Sequence, residues 1–107
     1  MKGEKMSIIH VTAENFEESV LKNDKPVILD FFANWCGPCR MLGPVLEKIA
    51  DEHDELAVAK VNVDDVPSLA EAFGVTSIPA IFVLKNGEVV NQAVGFMPKD
   101  KVLELLK

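Results

Sequence analysis

The stretch Phe31-Phe32-Ala33-Asn34-Trp35-Cys36-Gly37-Pro38-Cys39-Arg40 decides how this chain is read. It carries both cysteines of the 107 residues, at C-x-x-C spacing, and joins an apolar, strand-like run to a helix-like one. Two thiols at this spacing close a disulfide if the backbone turns between them, and Gly37-Pro38 favours a turn. A thiolate at a helix start is also stabilised by free backbone N–H groups and the helix dipole. Taken alone, the motif leaves three uses open: redox exchange, metal binding, or a structural crosslink.

Working outward, residues 27–33 are nearly continuous in apolar side chains, as a strand buried on both faces should be. Before them, residues 7–11 read as a short first strand. Thr12 is placed to cap a helix over residues 13–21, with Phe16, Val20 and Leu21 on its inner face. Acidic Glu14, Glu17 and Glu18 lie near the positive end of that helix, and Asn23-Asp24-Lys25-Pro26 stops it. After the cysteines, Met41, Leu42, Val45, Leu46 and Ile49 recur at helical spacing as far as Glu52. Pro44 has no N–H for the Arg40 carbonyl, which predicts a kink there rather than a stop. Residues 56–63 form a third strand, and Pro67 opens a short helix with Leu69 and Phe73 that Gly74 closes. Residues 80–84 form the fourth strand, and Asn86-Gly87 signals a type I′ hairpin into a fifth, Glu88–Val94. Pro98 opens a last amphipathic helix with Val102, Leu103, Leu105 and Leu106 inward. The order βαβαβαββα predicts an α/β fold: the early β-α-β units imply parallel pairing through right-handed crossovers, and the Asn86-Gly87 hairpin an antiparallel pair. A mixed five-stranded sheet flanked by four helices follows, its strand order left open. It reads as one domain over residues 1–107, with residues 1–6 a short polar extension.

Composition removes several classes. Eleven basic against seventeen acidic residues give a net charge of −6, which argues against nucleic acid or an anionic membrane surface as the main target. No apolar run approaches the roughly 20 residues that span a bilayer. Met1-Lys2-Gly3-Glu4-Lys5-Met6 lacks the apolar segment of a signal peptide, so export is unsupported and a cytoplasmic setting is expected; a monomer is expected as well. Cytosolic thiols are mostly kept reduced, which disfavours a purely structural disulfide. So does its size, since closing so short a loop removes only about 2 kcal/mol of chain entropy in the standard model. A zinc site wants four ligands, and only His10 and His53 remain, unpaired in spacing and each most simply a surface residue.

Four further features carry chemistry. Asp30 sits inside an apolar strand, where a charged carboxylate is costly. Six residues before Cys36, it is placed to move a proton to or from Cys39. The plainer alternative is a strand-end carboxylate bound to loop amides. Lys60, entering the third strand, is either the partner of Asp30 or a solvated lysine. Trp35 either covers the sulfurs and meets a partner protein, or simply packs. Ile78-Pro79 precedes the fourth strand, and a generic X-Pro bond favours trans.

Asp30-Phe31-Phe32-Ala33-Asn34-Trp35-Cys36-Gly37-Pro38-Cys39 resembles the active-site segment of the thioredoxin family. The resemblance runs over residues 8–107 through Pro44, Lys60-Val61-Asn62-Val63-Asp64, Phe73-Gly74-Val75, Ser77-Ile78-Pro79, Asn86-Gly87 and Val94-Gly95. It implies the thioredoxin fold with strand order 1-3-2-4-5, strands one and four running antiparallel to their interior neighbours, and a cis bond before Pro79. Cys36 precedes the first helical turn, so it should be the more exposed thiol and the attacking one, with Cys39, one turn in, resolving; the resemblance adds Asp30 and Lys60 as the buried acid and its neighbour. Trp35, Gly37, Pro38, Ser77, Ile78, Pro79, Gly95 and Phe96 would then meet the substrate chain. Thioredoxin reductase is the implied reductant, proteins bearing disulfides the substrates, and no metal or organic cofactor is expected. Phe32, Asn34 and Ala80 depart from common family residues.

The reading is a general protein-disulfide reductase. Two rivals remain: an oxidase or isomerase of the same fold, and a non-catalytic binding module. Pro38 argues against the first, because a histidine between the cysteines would stabilise the thiolate and make the pair more oxidising.

Overall fold

The computed structural model describes residues 8–107. The expected extension at residues 1–6, and Ser7 at the start of the first strand, lie outside the described residues. The strands are β1 (Ile8–His10), β2 (Val27–Phe32), β3 (Ala57–Asn62), β4 (Ala80–Lys85) and β5 (Glu88–Val94). Three α-helices follow their order in the chain, α1 (Gly37–Glu52), α2 (Pro67–Ala72) and α3 (Lys99–Glu104), and a π turn at Glu17–Leu21 makes the fourth helical segment. Every predicted element is present, and the sheet order is β1-β3-β2-β4-β5.

One direction differs from the implied topology. β1 runs parallel to β3, and β3 parallel to β2, whereas β4 is antiparallel to β2 and β5 to β4. The reason is the crossover connections, each of which returns the chain to the sheet in its original direction, so the first three strands share one sense. Only the hairpin and the link into β4 reverse it. At the hairpin, Asn86 and Gly87 have φ of 55° and 80°, both positive as a type I′ turn requires.

The first helix is also not a regular α-helix. Thr12 and Asn15 cap each other: the Asn15 N–H donates to Thr12 Oγ1 at 3.1 Å, and the Thr12 N–H to Asn15 Oδ1 at 2.8 Å. Beyond this turn the chain widens to i→i+5 bonding, with the Lys22 N–H donating to the Glu17 carbonyl at 2.9 Å. The wider turn puts Phe16 and Leu21, five positions apart, against the same core as Val20. Packing of those three apolar residues overrides the α-helical spacing.

The sheet has a core on each face. Val27, Leu29 and Phe31 of β2 point into one, with Phe16, Phe73 and Phe82 around them. The ring pairs there are mostly edge-on, with centroids 5.0 Å apart for Phe73–Phe82 and 5.6 Å for Phe31–Phe82. Ile28 points the other way, with Leu42, Leu46 and Ile49 of α1, Val58, Ile81 and Val102. By the two-residue alternation of a strand, Asp30 shares the face of Ile28, under α1. Each fully buried Leu, Ile or Phe contributes about 1.5–3 kcal/mol, and the first five residues of β2 and of β4 are all buried, so these two central strands are firmly held. The site grows from the end of β2.

Short helices are closed by local chemistry. Gly74, at φ 69°, ends α2, with the Gly74 N–H donating to the Glu71 carbonyl and the Val75 N–H to the Ala70 carbonyl. Val102 of α3 is buried, with Leu103, Leu105 and Leu106 half-buried against the same core. Lys85 Nζ caps the end of α3 by donating to the Leu106 carbonyl at 2.8 Å. α1 runs through Pro44 without stopping, as expected.

Candidate active site

β2 delivers the chain to the carboxyl end of the sheet, and after a four-residue bend α1 begins at Gly37. Cys36 is its N-cap, with an extended backbone (φ −93°, ψ 114°) that leaves the first helical N–H groups unpaired. One of them is used at once: the Cys39 N–H donates to Cys36 Sγ at 3.2 Å. Pro38 stands in the first turn, where a missing N–H costs nothing. The two cysteines are joined in a disulfide with their Cα atoms 5.2 Å apart. Cys36, expected to be the more exposed, is 5% exposed against 3% for Cys39. The margin is slight because Ala33, Phe32, Val63 and Ile78 pack around both sulfurs.

Asp30 lies in the middle of the sheet, paired with Lys60 on β3 and Ile81 on β4. It is wholly buried, and neither carboxylate oxygen has a hydrogen-bond partner in the structure, so the strand-end alternative does not hold. Burial pushes its carboxyl up to about 7, against the opposing pull of the Lys60 ammonium. Lys60 is half-buried, its Nζ 4.5 Å from the centroid of the Phe32 ring. It lines, together with Cys39, a cleft of about 410 Å3 that opens beside Arg40 and Glu47. Lys60 thus answers to both alternatives, pulling on Asp30 from the neighbouring strand while its ammonium faces the open cleft.

The other side of the disulfide is bordered by the cis-proline loop and the loop after β5. Ile78-Pro79 is a cis peptide, as the resemblance implies and against the preference of a generic X-Pro bond. The Ile78 carbonyl oxygen comes to 4.0 Å from Cys36 Sγ. The Gly95 N–H donates to the Pro79 carbonyl at 2.8 Å, which brings the loop bearing Gly95 and Phe96 alongside. Gly37, Pro38 and Ser77 are exposed there, and Phe96 is an exposed aromatic. Trp35 does not pack into the core: it is 68% exposed, with its Nε1–H donating to Asp64 Oδ2 at 3.0 Å.

Three contributors escaped the sequence reading. Asp64 holds the Trp35 indole, while Val63 and Val75 join Trp35, Ser77 and Ile78 around a shallow apolar depression of about 200 Å3. The bend after β3 brings Asp64 to Trp35 across 29 positions, a tertiary contact with no local signal. Arg40 stiffens the bend from the other side, its Nη1 donating to the Asn34 carbonyl at 2.9 Å. His10 is exposed, whereas His53 is half-buried at the end of α1, its Nδ1 2.8 Å from Glu55 Oε2. Among the described residues there is no cluster of three His, Cys, Asp or Glu side chains arranged to hold a metal, and no helix is long and apolar enough to cross a membrane.

Joined to each other at a helix N-terminus, the two sulfurs are a redox couple, and a couple in this position on this sheet belongs to the thiol–disulfide oxidoreductases. The sequence model of the family described as thioredoxin matches residues 7–107. Among curated proteins, the thioredoxin of Chlorobaculum thiosulfatiphilum is 48% identical over 92 residues, 85% of each chain. That of Porphyra purpurea is 45% identical over 88% of this chain and 89% of its own, and that of Staphylococcus haemolyticus 46% identical over 94% and 96%. The chain therefore belongs to the thioredoxin family, and its activity is that of a protein-disulfide reductase.

Proposed function

We propose that Cys36 is the attacking thiol and Cys39 the resolving one. The observation that carries this is the Cys39 N–H pointing at Cys36 Sγ, since that bond and the helix dipole favour a thiolate at Cys36 over one at Cys39. The Cys36 thiolate attacks one sulfur of a substrate disulfide, the substrate S–S bond breaks, and the expelled thiolate takes a proton from solvent. Cys39 then gives its proton to the Asp30 carboxylate and attacks Cys36 Sγ. The Cys36–Cys39 bond closes, the second substrate sulfur leaves as a thiolate, and two electrons have passed to the substrate. A carboxyl poised at about 7 is matched to accepting that proton near neutral pH. Lys60, which pulls the other way, keeps the carboxylate form within reach.

Trp35, Gly37, Pro38, Ser77, Ile78, Pro79, Gly95 and Phe96 are read as the surface that receives the substrate chain, with Ser77-Ile78 offering backbone groups and Trp35 and Phe96 apolar contact. Electrons reach the oxidised form from thioredoxin reductase, as the family membership suggests. The protein acts as a cytoplasmic electron carrier, a monomer and one domain, with no metal or organic cofactor. Replacing the resolving thiol tests the assignment: Cys39→Ser should accumulate a covalent complex with a disulfide substrate, linked at Cys36 by peptide mapping. A link found at Cys39 in the complementary Cys36→Ser protein, and none at Cys36, would reverse the roles.

A further inference from the structure

On α1, Cys39, Gly43 and Glu47 follow one another at four-residue steps and so share a face. All three line the cleft that also holds Lys60 and Phe32. Gly43 is buried in the interior of a 16-residue helix, where glycine is a poor helix former. Crowding does not require it. A Cβ built at Gly43 would meet the Lys60 Nζ at 3.7 Å, an ordinary contact, and nothing else within 4 Å. Helix propensity and packing both favour alanine here, so glycine needs a different account.

Lys60 supplies one. An ammonium has three donors, and the Phe32 ring under it satisfies only one side. A methyl at position 43 would come to 3.7 Å from the same ammonium and displace solvent from it. The residue after Gly43 opens the same stretch of helix further, because Pro44 gives no N–H to the carbonyl of Arg40, and both residues line the cleft. The cleft then runs from exposed Glu47, past Gly43, to Lys60 and Cys39, with Asp30 beside Lys60 on the neighbouring strand.

We propose that Gly43 is a positioning residue for the resolving step: by carrying no side chain it keeps the Lys60 ammonium solvated, and with it a hydrated proton route between solvent, the Asp30–Lys60 pair and Cys39. This rests on the reading of Asp30 as the base for Cys39. Less water near the pair makes the charged carboxylate harder to form, so filling the gap raises the pH at which Asp30 ionises. It also slows resolution at neutral pH, because less Asp30 is then ionised to take the proton. Attack by Cys36, on the other side of the disulfide, is untouched.

The test compares Gly43→Ala with Gly43→Ser, whose hydroxyl can accept from the ammonium in place of water. Three readouts are taken on each: the Asp30 titration midpoint by carboxyl NMR, the pH profiles of attack and resolution, and the thermal midpoint. Trp35, the single tryptophan, reports both exchange steps by fluorescence. Gly43→Ala should unfold at the same or a higher temperature, raise the Asp30 midpoint by roughly half a pH unit, and slow resolution at pH 7 about twofold to threefold. Gly43→Ser should return both towards wild type. A more stable Gly43→Ala with unchanged midpoint and unchanged resolution profile overturns the proposal, as does a Gly43→Ser that behaves like alanine. Asp30→Asn separates this from the underlying reading. If it leaves resolution at its wild-type rate and pH profile, Asp30 is not the base; the midpoint of Asp30 in Gly43→Ala still decides the role of the gap.

Discussion

Asp30→Asn should make the protein more stable at alkaline pH and leave it nearly unchanged at acid pH. The carboxyl ionises at 3.8 in its ordinary state and at about 7 in the fold. The folded state thus binds this proton more tightly than the unfolded state, so its stability is full below about pH 4 and declines as pH rises towards 7. At 1.36 kcal/mol per pH unit, ionising buried Asp30 above pH 7 costs the fold about 4 kcal/mol. No discount for solvent screening applies, since the side chain is wholly buried and its oxygens find no hydrogen-bond donor. Asparagine has the shape of the protonated acid and never ionises, so the cost disappears. Urea unfolding of the oxidised form gives the comparison directly, and taking the difference between variant and wild type at each pH cancels the other titrating groups. That difference should be near zero at pH 4 and reach about 4 kcal/mol by pH 8.5. A gap that stays constant with pH would refute the reasoning, because it would place the effect in packing rather than in the charge.

Two further outcomes follow from particular contacts. Asp64→Ala removes the acceptor of the Trp35 indole, and with the ring already largely exposed it should swing freely. KM for a protein disulfide should then rise several-fold while the reduction potential stays fixed; a changed potential with unchanged KM would contradict the recognition role of Trp35. Gly87→Ala puts a Cβ 3.0 Å from the Leu21 carbonyl oxygen at a φ of 80°. Strain and contact together should cost about 1–2 kcal/mol in denaturant unfolding, and a neutral result would mean that the hairpin relaxes away from the π turn.

How much of this could be read from residues alone depends on the range of the interaction. β2 and β5 were legible almost to the residue, because continuous apolar character in one and the Asn86-Gly87 turn before the other are local signals. The π turn was not, since Phe16 and Leu21 settle into a core whose shape is set by Phe73 and Phe82 much later in the chain. The parallel sense of the first three strands was legible in the early β-α-β units, whereas the cis state of Ile78-Pro79 is decided by tertiary context. At the site, Cys36, Cys39 and Asp30 stood out by spacing or by an acid in an apolar strand. Asp64 and Gly43 did not, because an acid in a loop and a glycine before a proline look ordinary until the structure puts one on Trp35 and the other against Lys60.

The central claim is that the dithiol of this fold does the chemistry, with Cys36 making the attack. Insulin-disulfide reduction with a regenerating reductant measures it most directly, comparing wild type with Cys36→Ser at pH 7. Wild type should turn over many equivalents of insulin and the variant should fall to the uncatalysed background. Equal rates in the two proteins would contradict the account and leave the exposed surface around Trp35 and Phe96 with a binding role alone.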